Sequence, residues 1–175
     1  MCAMNRKSGP GRATEQFQQP ALSVIGIGNE DRSDDGLGLL IVRDLRQHSW
    51  PHTQILESSG EGTALLEAWE GTSSAIVIDA VVTGAPPGTL YSWNLCTHPL
   101  PCRSASSYSS HTFGLPEALE LAQILQCLPE MLLLYGIEGA CFEPGHRLTP
   151  AVAHAMPILL QSLERKLHEL LRDTL

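Results

Sequence analysis

Short runs of apolar, mostly β-branched residues alternate along this chain with segments whose apolar residues recur at helical spacing, and that alternation limits the fold more than any other feature. ALSVIGI at 21–27 reads as a strand, and Leu37, Leu39 to Val42 and Leu45 then follow a helical period. HTQILES at 52–58 is a second strand, GTALLEAWEG at 62–71 a second helix and SSAIVIDAVV at 73–82 a third, buried strand. LPEALELAQILQCL at 115–128 reads as a helix with Pro116 in its first turn, and MLLLYGIE at 131–138 as a further central strand. Strands alternating with helices predict right-handed crossovers and a mainly parallel sheet covered on both faces. The link TGAPPGT at 83–89 is too short for a crossover helix, so LYSWNLC is expected to return antiparallel beside the third strand. Thr149 and Pro150 carry the cap-plus-proline signature of a long C-terminal helix, which Pro157 is expected to kink or interrupt. The expected fold is α/β: a three-layer α/β/α sandwich with a mainly parallel, mixed five-stranded sheet.

Length and composition narrow the function. With 175 residues, 43% hydrophobic and 17% charged, the chain suits one globular domain around a single core. Residues 1–20, polar with Gly and Pro, read as a flexible tail without the apolar region of a signal peptide, and 21–175 as a single α/β domain. The formal charge is −8, and residues 1–20 hold three bases against one acid, so the remainder carries −10. Such a surface disfavours nucleic acid, whose phosphates need basic patches. The five cysteines, Cys2, Cys96, Cys102, Cys127 and Cys141, are odd in number and scattered, which points to a reducing cytoplasm rather than a disulfide framework. No run approaches the roughly 18 apolar residues of a membrane helix, and no sustained heptad pattern forces association, so a monomer is expected.

In an open α/β sheet, ligands bind beyond the carboxyl ends of the strands. GIGNEDRSDD at 26–35 sets Asp34 and Asp35 just past the first strand, and IVIDA sets Asp79 near the end of the third. Asp34 reads as a helix N-cap, a contact worth about 1 kcal/mol. Asp79 follows three aliphatic residues, where a lone acid is costly unless hydrogen-bonded, paired or bound to a cation. It is either satisfied by neighbouring backbone amides or functional. His111, in SSYSSHTFGLPEAL, stands at the entry to the third helix and taken alone reads as a donor to a backbone carbonyl. As a set, Asp35, Asp79 and His111 fall where the topology converges on one rim. Two carboxylates and an imidazole suit a divalent ion such as zinc or nickel, with open positions for substrate or water.

Other constellations are weaker. In GIGN the third glycine of G-x-G-x-x-G is replaced by Asp31, and nearby carboxylates would repel a pyrophosphate, which argues against a nucleotide-binding domain. His48 and His52 lack the Glu of H-E-x-x-H and flank Pro51. Cys96, His98 and Cys102 match no zinc spacing, and no G-x-S-x-G supplies a serine nucleophile.

Four ordered blocks resemble a known family. GIGNEDRSDDGLG at 26–38, IVIDAVVTGAPPGTL at 76–90, SSHTFGLPEAL at 109–119 and GIEGACFEPGHRLTPAV at 136–152 are similar, in order and spacing, to the endopeptidases that mature nickel-iron hydrogenases. These remove a C-terminal extension from the large-subunit precursor. The resemblance covers nearly everything after residue 21. It implies metal binding by Asp35, Asp79 and His111, with Gly28, Asn29 and Asp34 supporting the turn and Asp34 capping or bracing the helix start. It further implies recognition of nickel already inserted in the precursor, cleavage after a His or Arg, and a site that zinc or cadmium would occupy in vitro. The hydrogenase large-subunit precursor is the implied partner.

The chain departs from the family pattern in two places. Glu57, Ser58, Ser59 and Gly60 stand where many relatives have an Asp-Gly-Gly-Thr-like turn, so Glu57 is either a substrate contact or only a strand-end acid. Glu30 and Asp31 stand where relatives usually carry apolar residues; they either compete for the metal or face solvent, and solvent is the expectation. The long loop THPLPCRSASSYSS at 97–110 is expected to touch the precursor and order on binding. The absence of a visible nucleophile or general base keeps one alternative open: an accessory protein of hydrogenase assembly that binds metal or precursor without cutting it.

Overall fold

The computed structural model describes residues 20–98, 103–104 and 114–173. The elements run β1 (Leu22–Ile27), a 3-10 turn (Ser33–Gly36), α1 (Leu37–Leu45), β2 (Thr53–Ser58), α2 (Gly62–Trp69), β3 (Ser74–Val82), β4 (Leu90–Asn94), β5 (Arg103–Ser104), α3 (Leu115–Leu125), β6 (Met131–Glu138) and α4 (Pro150–Asp173). Five strands form the path β2-β1-β3-β6-β4, and the two-residue β5 pairs antiparallel with Val81 and Val82 of β3, beyond the point where β1 ends its pairing at Ile78. β1, β2, β3 and β6 are parallel neighbours; β1, β3 and β6 are the apolar strands buried on both faces, and β2, TQILES, is the partly exposed edge.

Period-two alternation divides the core in two. Val24, Ile76, Ile78 and Leu133 face α1 and α4, packing with Ile41, Leu45, Val152, Leu159 and Leu163. Ile25, Ile27, Val77, Leu132 and Leu134 face the other way, onto Leu65 and Trp69 of α2 and Leu115 and Ala118 of α3. Helices therefore cover both faces, giving the expected three layers. Pro116 lies in the first turn of α3, where Glu117 Oε2 accepts the Gly114 N–H at 2.9 Å.

Two expectations are corrected. The returning strand β4 is antiparallel, but it pairs with β6 rather than β3. β6 arrives through α3 and takes the place beside β3, and the 83–89 link is drawn across its end. The buried carboxylate of Glu138, 2% exposed, accepts the Thr83 N–H, the Thr83 hydroxyl and the Gly84 N–H at 2.8–3.1 Å. The Gly88 N–H then donates to the Glu138 carbonyl, and the Glu138 N–H to the Thr89 carbonyl. α4 also runs through Pro157 without interruption. Pro157 and Ala153, whose carbonyl loses its usual partner four residues on, both lie on the exposed face, where water can satisfy the carbonyl. Among the described residues no helix is long and apolar enough to cross a membrane.

Candidate functional site

The end of β1 and the middle of β3 are met by backbone packed directly on backbone. A Cβ on Gly38, at the start of α1, would fall 2.2 Å from the Ile27 carbonyl oxygen and 2.5 Å from that of Ile78, so only glycine lets the helix sit this close to both strands. Gly28 has φ +152°, and a Cβ there would lie 1.8 Å from the Asp35 carbonyl oxygen. The turn is thereby pressed onto the end of β1 and packs against β3, the strand that carries Asp79. Asn29 supports it from within: its side chain accepts the Asp31 N–H at 2.9 Å, and its own N–H donates to the Asp35 carbonyl at 3.2 Å.

Asp34 and Asp35 have different surroundings. Asp34 is fully buried and does not cap the helix, contrary to the sequence reading; neither the 3-10 turn nor α1 has a side-chain cap. Its Oδ2 accepts the N–H groups of Ala140 at 2.8 Å and Cys141 at 3.0 Å, and the Thr149 hydroxyl at 2.9 Å. Its Oδ1 accepts the Thr149 N–H at 2.6 Å. The residue braces a distant loop, and the Thr149 hydroxyl, expected to cap α4, is spent on it.

Asp35 is 2% exposed, and its Oδ1 is buried with no hydrogen-bond donor among the described residues. Burial pushes its carboxyl above the ordinary range, opposed by the positive charge of Arg32 and a hydrogen bond from the Asn29 backbone. Asp79 is fully buried in β3, level with Gly136 of β6. His111 lies outside the described residues, as do most of the 97–110 loop and the 1–19 tail. Among the described residues no group of three His, Cys, Asp or Glu side chains comes together as a metal site. Asp35 nevertheless fits an ion: a buried carboxylate oxygen lacking a donor is what a cation would satisfy.

Glu57, at the end of β2, is engaged elsewhere. Arg43 Nη2 donates to it at 2.8 Å, Arg46 Nη1 also pairs with it, and these contacts, Arg43 first, lower its pKa. Glu30 and Asp31 are exposed as expected; Arg43 forms a salt bridge with Glu30 at 2.7 Å, and His146 Nδ1 lies 3.3 Å from Asp31 Oδ1. The sequence reading passed over two residues. Arg32 donates from Nε to the Phe142 carbonyl at 3.2 Å and places its charge near Asp35. Glu138 was legible as an acid closing an apolar strand.

Comparison with known proteins places the chain in company consistent with this rim. A family model described as hydrogenase maturation protease matches residues 39–166. The hydrogenase expression/formation protein HupD of Thiocapsa roseopersicina is 32% identical over 154 residues, covering 81% of this chain and 69% of that protein. The hydrogenase 2 maturation protease of Escherichia coli is 29% identical over 149 residues, covering 83% and 90%. In three dimensions the chain is similar to the hydrogenase maturating endopeptidase HybD from E. coli, with a TM-score of 0.70 at 26% identity, covering 85% of this chain and 92% of that one.

Proposed function

The chain belongs to the hydrogenase maturation protease family and is a peptidase, and on that premise we propose that it is a nickel-dependent endopeptidase removing the C-terminal extension of a nickel-loaded hydrogenase large-subunit precursor. The observation that carries the reading is Asp35, a carboxylate held at a strand-end rim with one buried oxygen lacking a donor among the described residues. Asp35, Asp79 and His111 would hold the ion. Zinc or cadmium would fill the same site in vitro.

A divalent ion bound there supplies a Lewis acid that polarises a carbonyl or lowers the pKa of an attacking water. The chain's own residues do the positioning. Gly28 and Asn29 fix the turn, Asp34 ties it down, and Asp35 in that turn and Asp79 within β3 are buried carboxylates in a dry, low-dielectric setting. If the precursor's nickel completes this coordination sphere, only loaded precursor sets its scissile bond in place, and the site acts as a checkpoint for metal insertion. The proposed setting is the cytoplasm, in keeping with the free Cys96, Cys127 and Cys141, and the proposed state is a monomer.

The test is a processing assay with nickel-loaded and nickel-free precursor, reading the mass of the precursor's C-terminus. Loss of a short tail from the loaded sample alone is expected. Trimming of both samples would remove the nickel gate, and binding without trimming would bring back the non-proteolytic accessory role.

A further inference from the structure

We propose that Asp34 is the positioning residue for Asp35: by drawing the 139–149 loop onto its carboxylate, it holds that loop and the metal-side turn in one fixed arrangement. The inference rests on the proposed function, since it concerns how that site is kept in shape. A carboxylate has about four acceptor positions, and four donors from Ala140, Cys141 and Thr149 converge on those of Asp34. Three of them fall on Oδ2 and one on Oδ1, so the acceptor capacity of Asp34 is spent mostly on the loop, although it adjoins the residue proposed to hold an ion.

The backbones on either side repeat the connection. The Gly145 N–H donates to the Asp31 carbonyl at 2.8 Å, the Ser33 N–H to the Gly145 carbonyl at 2.6 Å and the Asp34 N–H to the Cys141 carbonyl at 3.0 Å. The Ser33 hydroxyl reaches the Glu143 carbonyl at 3.0 Å. Thr149 in turn leads directly into α4, whose Val152 and Ala155 are buried in the core, so the turn is referenced to the rigid body of the protein. A cleft of about 120 Å³ opens between the two sides, with Ser33 and Gly36 from the turn facing His146 and Leu148 from the loop. Loosening the clamp would thus disturb both the placement of Asp35 and the shape of the cleft beside it.

An acid is needed at position 34 for a specific reason. Asn would keep the size but present an NH2 group to converging N–H donors, replacing attraction with repulsion. Asp34→Asn is therefore a sharp lesion. Thr149→Val is a milder one, removing only the hydroxyl and leaving three donors, and Thr149→Ser restores that donor.

The experiment compares these three variants with wild type in the full chain, measuring Tm, calorimetric titration with Zn2+ and Ni2+, and KM and kcat on nickel-loaded precursor. In a folded Asp34→Asn protein, ion affinity is expected to fall roughly 10- to 100-fold, the usual cost of losing an outer-shell partner, and KM to rise. Thr149→Val should show a smaller fall in the same direction, and Thr149→Ser should recover wild-type values. A role confined to stability would lower Tm and leave affinity and KM alone. Ion affinity and KM indistinguishable from wild type in folded Asp34→Asn, or in Thr149→Val should Asp34→Asn fail to fold, would overturn the proposal. If wild type takes up neither ion, a resident metal site in the free protein is ruled out and KM alone decides the positioning role. If wild type neither takes up an ion nor processes precursor, both the proposed function and this inference fall.

Discussion

Asp34 and Asp35 are neighbours in the chain, alike in chemistry and equally hidden from water, yet their surroundings are opposite. Asp34 is met by four donors, whereas Asp35 keeps a buried oxygen with no donor among the described residues and a pKa pushed up by burial. Glu138, at the end of β6, belongs with Asp34: its carboxylate gathers Thr83 and Gly84 and steers the link into β4. Asp34 and Glu138 thus hold loops, whereas Asp35 keeps an oxygen whose solvation is incomplete among the described residues. An ionised carboxylate removed from water must be compensated by donors or by a cation. Where the donors are missing, the protein carries a cost that an ion would relieve.

The comparison is broken most directly through Asp35. Asp35→Ala and Asp35→Asn are expected to abolish processing of the precursor while leaving far-UV circular dichroism and Tm near wild type, because no distant loop among the described residues is tied to the Asp35 carboxylate. Asp35→Asn should even match or exceed wild-type stability, as it removes a poorly solvated charge. Unfolding of either variant would make Asp35 a structural acid like its neighbour. The converse lesion is Asp34→Ala, which strands the donors of Ala140, Cys141 and Thr149. With hydrogen bonds to charged groups worth about 1.5–3 kcal/mol, its cost should be about 3 kcal/mol or more, read from denaturant unfolding. A cost near zero would erase the distinction from the other side.

A smaller effect tests Asp35 by pH. Asp35 has a folded-state pKa above its unfolded value, so its contribution to stability is fully present below the unfolded pKa and is lost as pH rises through the folded pKa. Metal-free Asp35→Asn lacks this dependence. Its advantage over wild type should shrink as the solution is acidified through the raised pKa of Asp35, as followed by urea midpoints at a series of pH values. Parallel profiles for the two proteins would mean that Asp35 is better solvated than its burial implies.

Much of this was legible in the sequence, and the limits have physical causes. The strands and helices followed from apolar period, because runs such as SAIVIDAVV and MLLLYGIE have no other way to bury every side chain. The neighbour of β4 was not legible. It depends on Glu138 reaching back 54 and 55 residues to the 83–84 backbone, a contact with no local signature. The bracing role of Asp34 was hidden likewise, since its donors lie 106 to 115 residues away and the local pattern looks the same as an N-cap. Pro157 does not interrupt α4: propensity ignores which face a residue occupies, and on the exposed face the lost hydrogen bond can be met by water. Asp79 was read as lying near the end of the third strand, but β3 continues to Val82, so the carboxylate lies within its strand, one residue past the last β1–β3 pair at Ile78.

Glu57 gives the smallest expected effect and a contrast of opposite sign. It is a partly exposed acid whose charge is fully answered, by Arg43 and Arg46 on α1, with Arg43 shared by Glu30. Its pKa is lowered, chiefly by the Arg43 hydrogen bonds, so its contribution is present above the unfolded pKa and lost as pH falls through the folded pKa, the reverse of Asp35. Surface pairs of this kind contribute little and are screened by salt, so Glu57→Gln should lower Tm by about one or two degrees at low ionic strength and less at high. With both arginines occupying its carboxylate, the same variant should process precursor with unchanged KM. A raised KM would instead mean that the precursor competes with Arg43 and Arg46 for Glu57, and would extend the substrate surface from the end of β1 across to the edge strand β2.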